Sequence, residues 1–451
     1  MPGMDGFADP RGHGDATALS RITIKLNSHE PRTRRHIRLR DCIMIMTIKL
    51  AWRNLFRNHR RTFIAGSAIG IGLAAMIFID ALIIGMEENM VRTATSSFLG
   101  QAQIHAEGYR TEREVESTIN DGQAVFEALS RDPRVKACTP RVMSLAMVSS
   151  SANVRSCQLI GVRPDSERAL SQIDDTIQEG AFFASDKSLD AVLGGALAEI
   201  LEVELGDRLV VTASEAETGD LAQALFRVSG IYRFGSREMD TGMVFVRIKK
   251  ARELLGIGDG IHEIALTFEN ATIAETPAHP FWDAYSGDGN EAVGWPVLVP
   301  ELKAVFQYSQ LSLVIMGGIL FAVVALGIVN TLFMSIYERM FEFGVLRAIG
   351  TRPVRLWALI VCEAAALAVL SVVLGTILGG VVTGIIARTG IDYRGIEMVG
   401  VTLRDLIYPV LTLKQFVVYP FWVLVLTVLV AFYPAVHAAR VPAAEALRKS
   451  L

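Results

Sequence analysis

Four long apolar segments constrain the fold of this chain more than any other feature of its sequence. They cover residues 62–86, 311–337, 356–387 and 416–437. A helix rises ~1.5 Å per residue and needs roughly 20 mostly apolar residues to cross the hydrocarbon of a bilayer. Each segment is long enough, so the sequence predicts four transmembrane helices, here named TM1 to TM4. An even number of spans places both chain ends on one side of the membrane.

Basic residues select that side, because short loops rich in Lys and Arg stay in the cytoplasm. Basic side chains are frequent before TM1, in the loop 338–355 between TM2 and TM3, and in the tail 438–451. Residues 87–310, between TM1 and TM2, instead hold 34 acidic and 20 basic side chains. The sequence therefore predicts a multi-pass membrane protein with cytoplasmic termini, an external domain at 87–310 and a short external loop at 388–415.

The segment before TM1 divides into two parts. Residues 1–45 are polar and lack the apolar core of a signal peptide, so we expect a disordered or mis-annotated extension. In residues 46–61, apolar side chains recur at helical spacing opposite a basic face, which is typical of a helix lying in the cytoplasmic interface. These apolar side chains are Ile48, Trp52, Leu55 and Phe56.

The external segment is long enough for a domain with its own core. Runs of β-branched and aromatic residues predict strands, and helical patterns predict helices. The predicted strands are 209–212, 226–232 and 243–246, and the predicted helices are 123–130, 194–201 and 248–255. A proline-rich stretch at 270–300 is expected to return to TM2 as loop and strand. The predicted fold class is membrane α-helical, with four transmembrane helices and a large mixed α/β extracytoplasmic domain.

Sequence motifs of enzyme chemistry are absent. The chain has no HExxH, GxSxG or CxxC motif, and His105, His262 and His279 stand alone. A lone His such as His262 is more often a satisfied structural residue than a ligand. No GxxxxGK[ST] motif occurs, which excludes a P-loop nucleotide site. The prediction is a protein that is not an enzyme, with no catalytic, cofactor-binding or metal-binding residues.

Cysteines and glycines allow two structural predictions. Cys138 and Cys157 share the external segment, where a bridge and two free thiols are both compatible with the sequence. Small residues in TM1 and TM3 are spaced four apart, which favours close packing of helix backbones. These residues are Gly66 and Gly70 in TM1 and Gly375, Gly379, Gly380 and Gly384 in TM3.

The loop after TM2 carries the most informative pattern. Between residues 338 and 353, charges alternate with Phe343, Leu346 and Ile349, which predicts a short amphipathic helix ended by Gly350 and a proline. A loop that only fixed orientation would not need an apolar stripe. An exposed apolar face on a cytoplasmic loop favours a protein partner.

This loop resembles the signature of the permease family that includes the macrolide exporter, the lipoprotein-releasing permeases and the cell-division permease, often called type VII ABC transporters. Residues 51–62 are similar to the family's opening motif, and residues 433–448 look like its closing motif. Residues 196–207 and 226–231 resemble its periplasmic core. The stretch 100–105 looks like the lipoprotein-releasing branch.

The resemblance implies a permease subunit in the cell inner membrane that holds no cofactor, since ATP is bound by a separate ABC ATPase subunit. A second permease copy or paralogue would complete a dimer, and no nucleic-acid partner is expected. The loop would be the coupling helix on the ATPase. The coupling residues would be Glu338, Arg339, Glu342, Phe343, Gly344, Leu346, Arg347, Ile349 and Gly350.

Two acids lie inside predicted spans. Asp80 is 19 residues past Arg61, ~28 Å along the helix and near the outer interface. Glu363 is 8 residues past Arg355, ~12 Å along its helix, and is expected to pair with an arginine near the inner interface. A proton relay is the alternative role for both.

The first functional hypothesis is that ATP-driven movement is relayed to the periplasmic domain to release lipoproteins from the inner membrane. Two alternatives stay open. One is an efflux permease that works with a periplasmic adaptor and an outer-membrane duct, and the other is a signal relay that controls an extracellular hydrolase. The sequence specifies neither the cargo nor whether the dimer partner is identical.

Overall fold

The computed structural model describes residues 49–53, 57, 59–183, 189–398, 401–402 and 405–442, and the statements below concern these residues. They belong to two compact units. The first unit comprises the described residues of Met1–Ile64, Ile328–Ala368 and Thr427–Leu451. The second unit comprises those of Ala65–Gly327 and Val369–Leu426.

Long helices occupy all four predicted spans. They are TM1 at His59–Ala94, TM2 at Pro300–Glu338, TM3 at Pro353–Thr389 and TM4 at Leu413–Arg440. The mean hydropathy of their most apolar stretches lies between 2.3 and 2.7, and each is long enough to cross a membrane. TM1 continues into a π-helical turn at Thr95–Leu99. The prediction of four membrane helices is confirmed, and all four extend beyond their apolar segments.

Between TM1 and TM2 the chain forms a mixed α/β domain, which confirms the predicted fold class. Its strands are β1 Ala102–Ala106, β2 Val135–Ser149, β3 Val154–Val162, β4 Ile177–Gly180, β5 Asp190–Gly194, β6 Arg208–Ser214, β7 Leu221–Tyr232, β8 Met243–Arg247, β9 Glu263–Phe268 and β10 Asn290–Gly294. Its helices are α1 Tyr109–Glu112, α2 Gly122–Arg131, α3 Pro164–Leu170, α4 Gly195–Leu201, α5 Arg237–Gly242, α6 Ile248–Leu255, α7 Thr272–Glu275, α8 Pro280–Tyr285 and α9 Trp295–Leu298. A 3₁₀ turn lies at Asp174–Thr176.

The strands form one sheet in the order β10-β1-β9-β2-β3-β8-β5-β7-β4. Strand β6 pairs with both β2 and β7, so six strands form a closed ring of pairings. The ring encloses an apolar cluster. Strand β2 supplies Val142, Ala146 and Val148 to it from one face, as expected for alternating strand positions. Helices α4 and α6 supply Leu197 and Leu254 to the same cluster.

The predicted strands and helices of the domain fall within β6, β7, β8, α2, α4 and α6, except that the predicted helix 194–201 starts one residue early, since Gly194 ends β5. The prediction for 270–300 is wrong in part, because this stretch contains α7, α8 and α9 besides β10. Three of its four prolines, Pro280, Pro296 and Pro300, lie at the starts of helices, and Pro277 lies in the turn between α7 and α8. Pro280 occupies the first turn of α8, where a missing N–H is tolerated, and the His279 ring accepts a hydrogen bond from the Phe281 N–H at 3.1 Å.

Backbones of TM1 and TM3 approach closely in the second unit. A side-chain carbon on Gly375 would lie 2.6 Å from the Gly70 carbonyl oxygen, and one on Gly379 would lie 3.0 Å from the Ala74 Cα. A side chain does not fit at the first distance and is crowded at the second, so the predicted close packing is confirmed for Gly70, Gly375 and Gly379. It is not confirmed for Gly380, which faces the Phe416 ring of TM4, or for Gly384, where an added side-chain carbon would meet no described atom within 4 Å. In the external loop, the Val410 N–H donates to the Ala81 carbonyl at 2.9 Å.

Cys138 and Cys157 are free thiols. Cys157 pairs with Ala146 across β2 and β3, so the two cysteines are separated by roughly eight residues of strand, or ~26 Å. Burial raises the pKa of the Cys157 thiol to about 12. His262 is a satisfied core residue, as predicted, because its ring accepts from the Met143 N–H at 3.0 Å and contacts the Val115 carbonyl at 2.8 Å.

The predicted interfacial helix is only partly described. Residues 49–53 are helical, with Leu50 and Trp52 exposed, whereas Ile48, Leu55 and Phe56 lie outside the described residues. The predicted extension at 1–45 also lies outside them. Its proposed disorder therefore stays a prediction.

Candidate coupling site

The loop between TM2 and TM3 folds as predicted, into a short helix with a sharp end. TM2 ends at Glu338, the backbone turns at Arg339, and helix α10 runs through Met340–Ala348. Gly350 has a φ of +94°. Its N–H bonds the Arg347 carbonyl at 3.1 Å, and the Thr351 N–H bonds the Leu346 carbonyl at 2.9 Å. This pair of bonds is the Schellman motif, which needs a left-handed residue that glycine adopts most easily.

Arg339 holds the start of α10 in place. Its guanidinium donates to Glu363 of TM3 at 2.7 Å and to Glu342 at 3.1 Å, and lies 5.1 Å from the centre of the Phe343 ring. These four residues are called the loop cluster below. The side chains of Arg339 and Glu363 are 11% and 12% exposed, so the pair is largely removed from water. Glu363 thus has the arginine partner expected for it.

A second arginine reaches the loop cluster from the N-terminal segment. The Arg57 guanidinium donates to Glu342 at 2.9 Å, with side-chain exposures of 57% and 45%. Burial by itself would raise the pKa of Glu342, but the hydrogen bonds from Arg339 and Arg57 outweigh it and lower the pKa below its usual range. Sequence spacing gave no signal for this pair, since its members are 285 residues apart.

Apolar packing fixes the inner face of α10. Phe343 is 3% exposed and packs with Ile336 of TM2, Leu356 and Ile360 of TM3, and Ala435 of TM4. Leu346 is partly buried against the same cluster. Further along the helix, the Arg347 guanidinium donates to the Ala439 carbonyl at 2.7 Å. The helix is therefore a rigid part of the first unit.

The outer face of α10 differs from the predicted one. Phe343 and Leu346 are not exposed, and only Ile349 of the predicted stripe points outward, at 74% exposure. The exposed apolar stripe consists of Phe341, Val345 and Ile349, which are spaced four apart. The prediction was wrong in register because TM3 and TM4 bury the side of the helix that carries Phe343. Sequence spacing alone could not tell which apolar residues would meet neighbouring helices.

The other predicted coupling residues lie along the same loop. Gly344 is buried, Glu342 and Gly350 are exposed, and Glu338 ends TM2. The second intramembrane acid, Asp80, belongs to the second unit, where it is 7% exposed and hydrogen-bonds Tyr419 of TM4. Among the described residues, no group of three or more His, Cys, Asp or Glu side chains could hold a metal ion.

A cleft of about 1010 Å³ lies in the second unit between the outer end of TM1, the first turns of TM2 and the lower side of the domain. Its apolar lining includes Phe268, Trp282, Trp295 and Phe306, and its charged lining includes Arg92, Lys136, Lys303, Glu87, Glu88 and Glu275. The first residue of TM1 that lines the cleft is Ile84, 23 residues past Arg61. Along a helix this is ~35 Å, and bilayer hydrocarbon is about 30 Å thick, so the cleft starts beyond the outer end of the hydrocarbon.

Comparisons with known proteins agree with this architecture. Residues 62–277 match the MacB-like periplasmic core domain, and residues 314–443 match the FtsX-like permease C-terminal model. The chain is 24% identical over 432 residues to the lipoprotein-releasing system transmembrane protein LolC of Xylella fastidiosa, covering 89% of this chain and 98% of that protein.

Two further similarities are of lower coverage. The lipoprotein-releasing system transmembrane protein LolE of Haemophilus influenzae is 24% identical over 297 residues, covering 63% of this chain and 68% of that protein. Among solved structures, the periplasmic region of MacB from Actinobacillus actinomycetemcomitans aligns at a TM-score of 0.32 and 14% identity, covering 45% of this chain and 92% of that one.

Proposed function

We propose that this chain relays ATP hydrolysis by a separate ATPase to its periplasmic domain, and that the relay releases lipoproteins from the inner membrane. The premise is that the chain belongs to the FtsX-like and MacB-like permeases of ABC transporters, the type VII family. In this proposal the permease acts as a dimer with a second copy or a paralogue. ATP binds only the partner subunit, so its energy reaches the permease through a protein contact.

The observation that carries the proposal is the exposed stripe of Phe341, Val345 and Ile349 on a helix that is otherwise fixed. A rigid helix with an outward apolar face can pass on a displacement of its partner, because the buried Phe343 and the Arg339 bonds prevent it from yielding. The ATPase is the occupant we assign to this stripe. The contacts of α10 thus separate the exposed residues, which we assign to docking, from the buried and hydrogen-bonded residues that hold the helix in place.

The docking step is tested with Ile349→Asp. A charge on this exposed position should abolish co-purification with the ATPase and stimulation of its activity, while membrane insertion stays unchanged. Leu145→Asp is the matched control, since Leu145 is an equally exposed aliphatic residue, at 76%, in the periplasmic domain. Docking that survives Ile349→Asp would refute the assignment of this stripe.

The cargo step is supported by the similarity to LolC and LolE, which are lipoprotein-releasing system transmembrane proteins, and by the outer cleft. A cleft above the hydrocarbon, lined by four aromatic side chains together with charged residues, fits an acyl chain that has left the bilayer. Lipoprotein cargo supplies such chains. Its extraction costs free energy, which agrees with a need for ATP.

Release is tested with purified permease and ATPase in liposomes that contain a lipoprotein. ATP should transfer the lipoprotein to a soluble acceptor, and Val297→Asp, at an exposed position of the cleft lining, should reduce transfer without reducing ATPase activity. Intact ATPase activity without any release would exclude this function. Capture of an adaptor or of a hydrolase by the periplasmic domain would favour the efflux or the signalling alternative instead.

A further inference from the structure

A buried ionic cluster lies where TM1 enters the periplasmic domain. Arg141 of β2 is fully buried and donates to Glu167 at 2.6 and 3.0 Å and to Glu263 at 2.7 Å. Its guanidinium carbon lies 3.6 Å from the centre of the Phe98 ring. These four residues are called the domain cluster. Phe98 belongs to the π-helical turn that ends TM1, so a membrane helix supplies one face of a cluster otherwise built by the domain.

The domain also binds the carbonyl groups at the end of TM1. A helix leaves its last four carbonyls without partners inside the helix. Here the Gln172 N–H donates to the Ser96 carbonyl at 3.0 Å, and the Gln103 side-chain amide donates to the Leu99 carbonyl at 2.8 Å. The Gly100 N–H donates to the Thr95 carbonyl at 2.9 Å. Backbone bonds and the Phe98 contact thus fix the same turn.

TM2 meets the domain through apolar contacts. Trp295, just before TM2, and Leu302 in its first turn are buried in an apolar cluster with Phe281 and Ala292, which Met90 of TM1 also joins. TM1 thus adds its hydrogen-bonded turn to an apolar contact that both helices make. Apolar contacts can slide and repack, whereas hydrogen-bonded charges require a defined geometry. The two helices that connect the membrane to the domain therefore differ in the stiffness of their attachment.

We infer that the domain cluster is the joint through which TM1 moves the periplasmic domain, with Arg141 as a positioning residue that holds Phe98 and the π-helical turn. This inference rests on the proposed relay of ATP hydrolysis. Arg141 links two strands and a helix of the domain, since it lies on β2 and its partners Glu167 and Glu263 lie on α3 and β9. A displacement of TM1 is thus passed to three elements at once.

The joint is tested with Phe98→Leu, which removes the ring beside Arg141 and leaves both ion pairs intact. Phe226→Leu is the matched control, because Phe226 is also buried in the domain but packs in the cluster around Val142. The first measurement is amide hydrogen exchange of residues 95–101 in the purified permease without ATPase or cargo. Phe98→Leu should accelerate this exchange at least about tenfold, and the control should leave it unchanged.

The second measurement is the amount of lipoprotein released per ATP hydrolysed by the reconstituted complex. Phe98→Leu should lower this ratio several-fold while the ATPase rate stays at the wild-type value. Gln103→Leu, which removes the bond to the Leu99 carbonyl, should act in the same direction and serves if Phe98→Leu does not fold.

Wild-type exchange and a wild-type ratio in both variants would overturn the joint. An equal loss of ratio in Phe226→Leu would overturn it too, because general destabilisation would then explain the effect. If the wild-type complex releases no lipoprotein, the proposed function fails, and the exchange measurement still decides whether the joint exists.

Discussion

The loop cluster and the domain cluster have the same composition but differ in burial. Each contains one arginine, two glutamates and one phenylalanine ring beside the guanidinium. In the domain cluster the arginine and its acids are 0% to 5% exposed, whereas in the loop cluster Glu342 is 45% exposed. The same set of side chains is therefore more costly to disrupt where all its charges are buried than where one acid faces water.

Burial determines how much each arginine contributes to the folding stability. A buried ion pair is costly to break, because the remaining charge has neither water nor a partner. An exposed pair contributes little, since water replaces the lost partner. The comparison predicts a graded series of mutational effects.

Arg141→Ala should have the largest effect. It leaves Glu167 and Glu263 buried without their cation, which costs about 3–5 kcal/mol of folding free energy. The expected result is a large fall in Tm of the detergent-purified chain and rapid proteolysis of the domain. Combining Arg141→Met, Glu167→Leu and Glu263→Leu should recover most of this stability. A stable Arg141→Ala protein would contradict the comparison.

Arg339→Ala should have a smaller effect on stability, about 1–3 kcal/mol, because water reaches part of the loop cluster. Loss of the bond to Glu363 should free the start of α10, so ATPase stimulation should fall more than Tm. Both quantities can be measured on the same preparation, with Glu363→Gln as the milder companion. Unchanged stimulation would separate Arg339 from coupling.

Acidification should affect the domain before the loop. Burial lowers the pKa of His262 below its ordinary value of about 6.5. The unfolded chain therefore binds a proton first, and stability falls by up to about 1.4 kcal/mol per pH unit as pH drops below about 6.5. His262→Gln should flatten the decline of Tm between pH 7 and pH 5.5, because it removes the buried group that resists protonation in the folded state.

A second acid transition is expected at lower pH. Burial alone would raise the pKa of Glu263, but the His105 hydrogen bond and the Arg141 charge outweigh it and lower the pKa. A depressed acid contributes stability above its unfolded pKa and loses that contribution as pH falls through the folded value. The loss should therefore start only below about pH 4.5.

Arg57→Ala should have the smallest effect. Its bond to Glu342 is exposed on both sides, so stability should change by less than about 1 kcal/mol, and less still at high salt. The measurement is Tm at low and high ionic strength. A loss as large as that of Arg339→Ala would show that exposure does not rank these pairs.

Sequence reasoning succeeded where the signal was local. The four spans follow from long, mostly apolar runs, and the end of α10 follows from Gly350, whose φ of +94° favours glycine. Sequence reasoning failed where contacts between distant segments determine which residues pair and which are buried. Arg141 bonds acids 26 and 122 residues away, and no periodicity connects residues at such distances. The stripe on α10 was misplaced for the same reason, since the position of TM3 and TM4 determines which side is buried.

The closed ring of strands limits how any protein could attach to the domain. Among its described strands, only β10 and β4 stand at the ends of the sheet, and they are 5 and 4 residues long. Free edges are where an extended peptide joins a sheet through backbone hydrogen bonds. Because the free edges are so short, a partner protein has little edge to which it could add a strand. Selectivity for a partner must therefore come from side chains and loops, which can diverge between paralogues while the sheet stays the same.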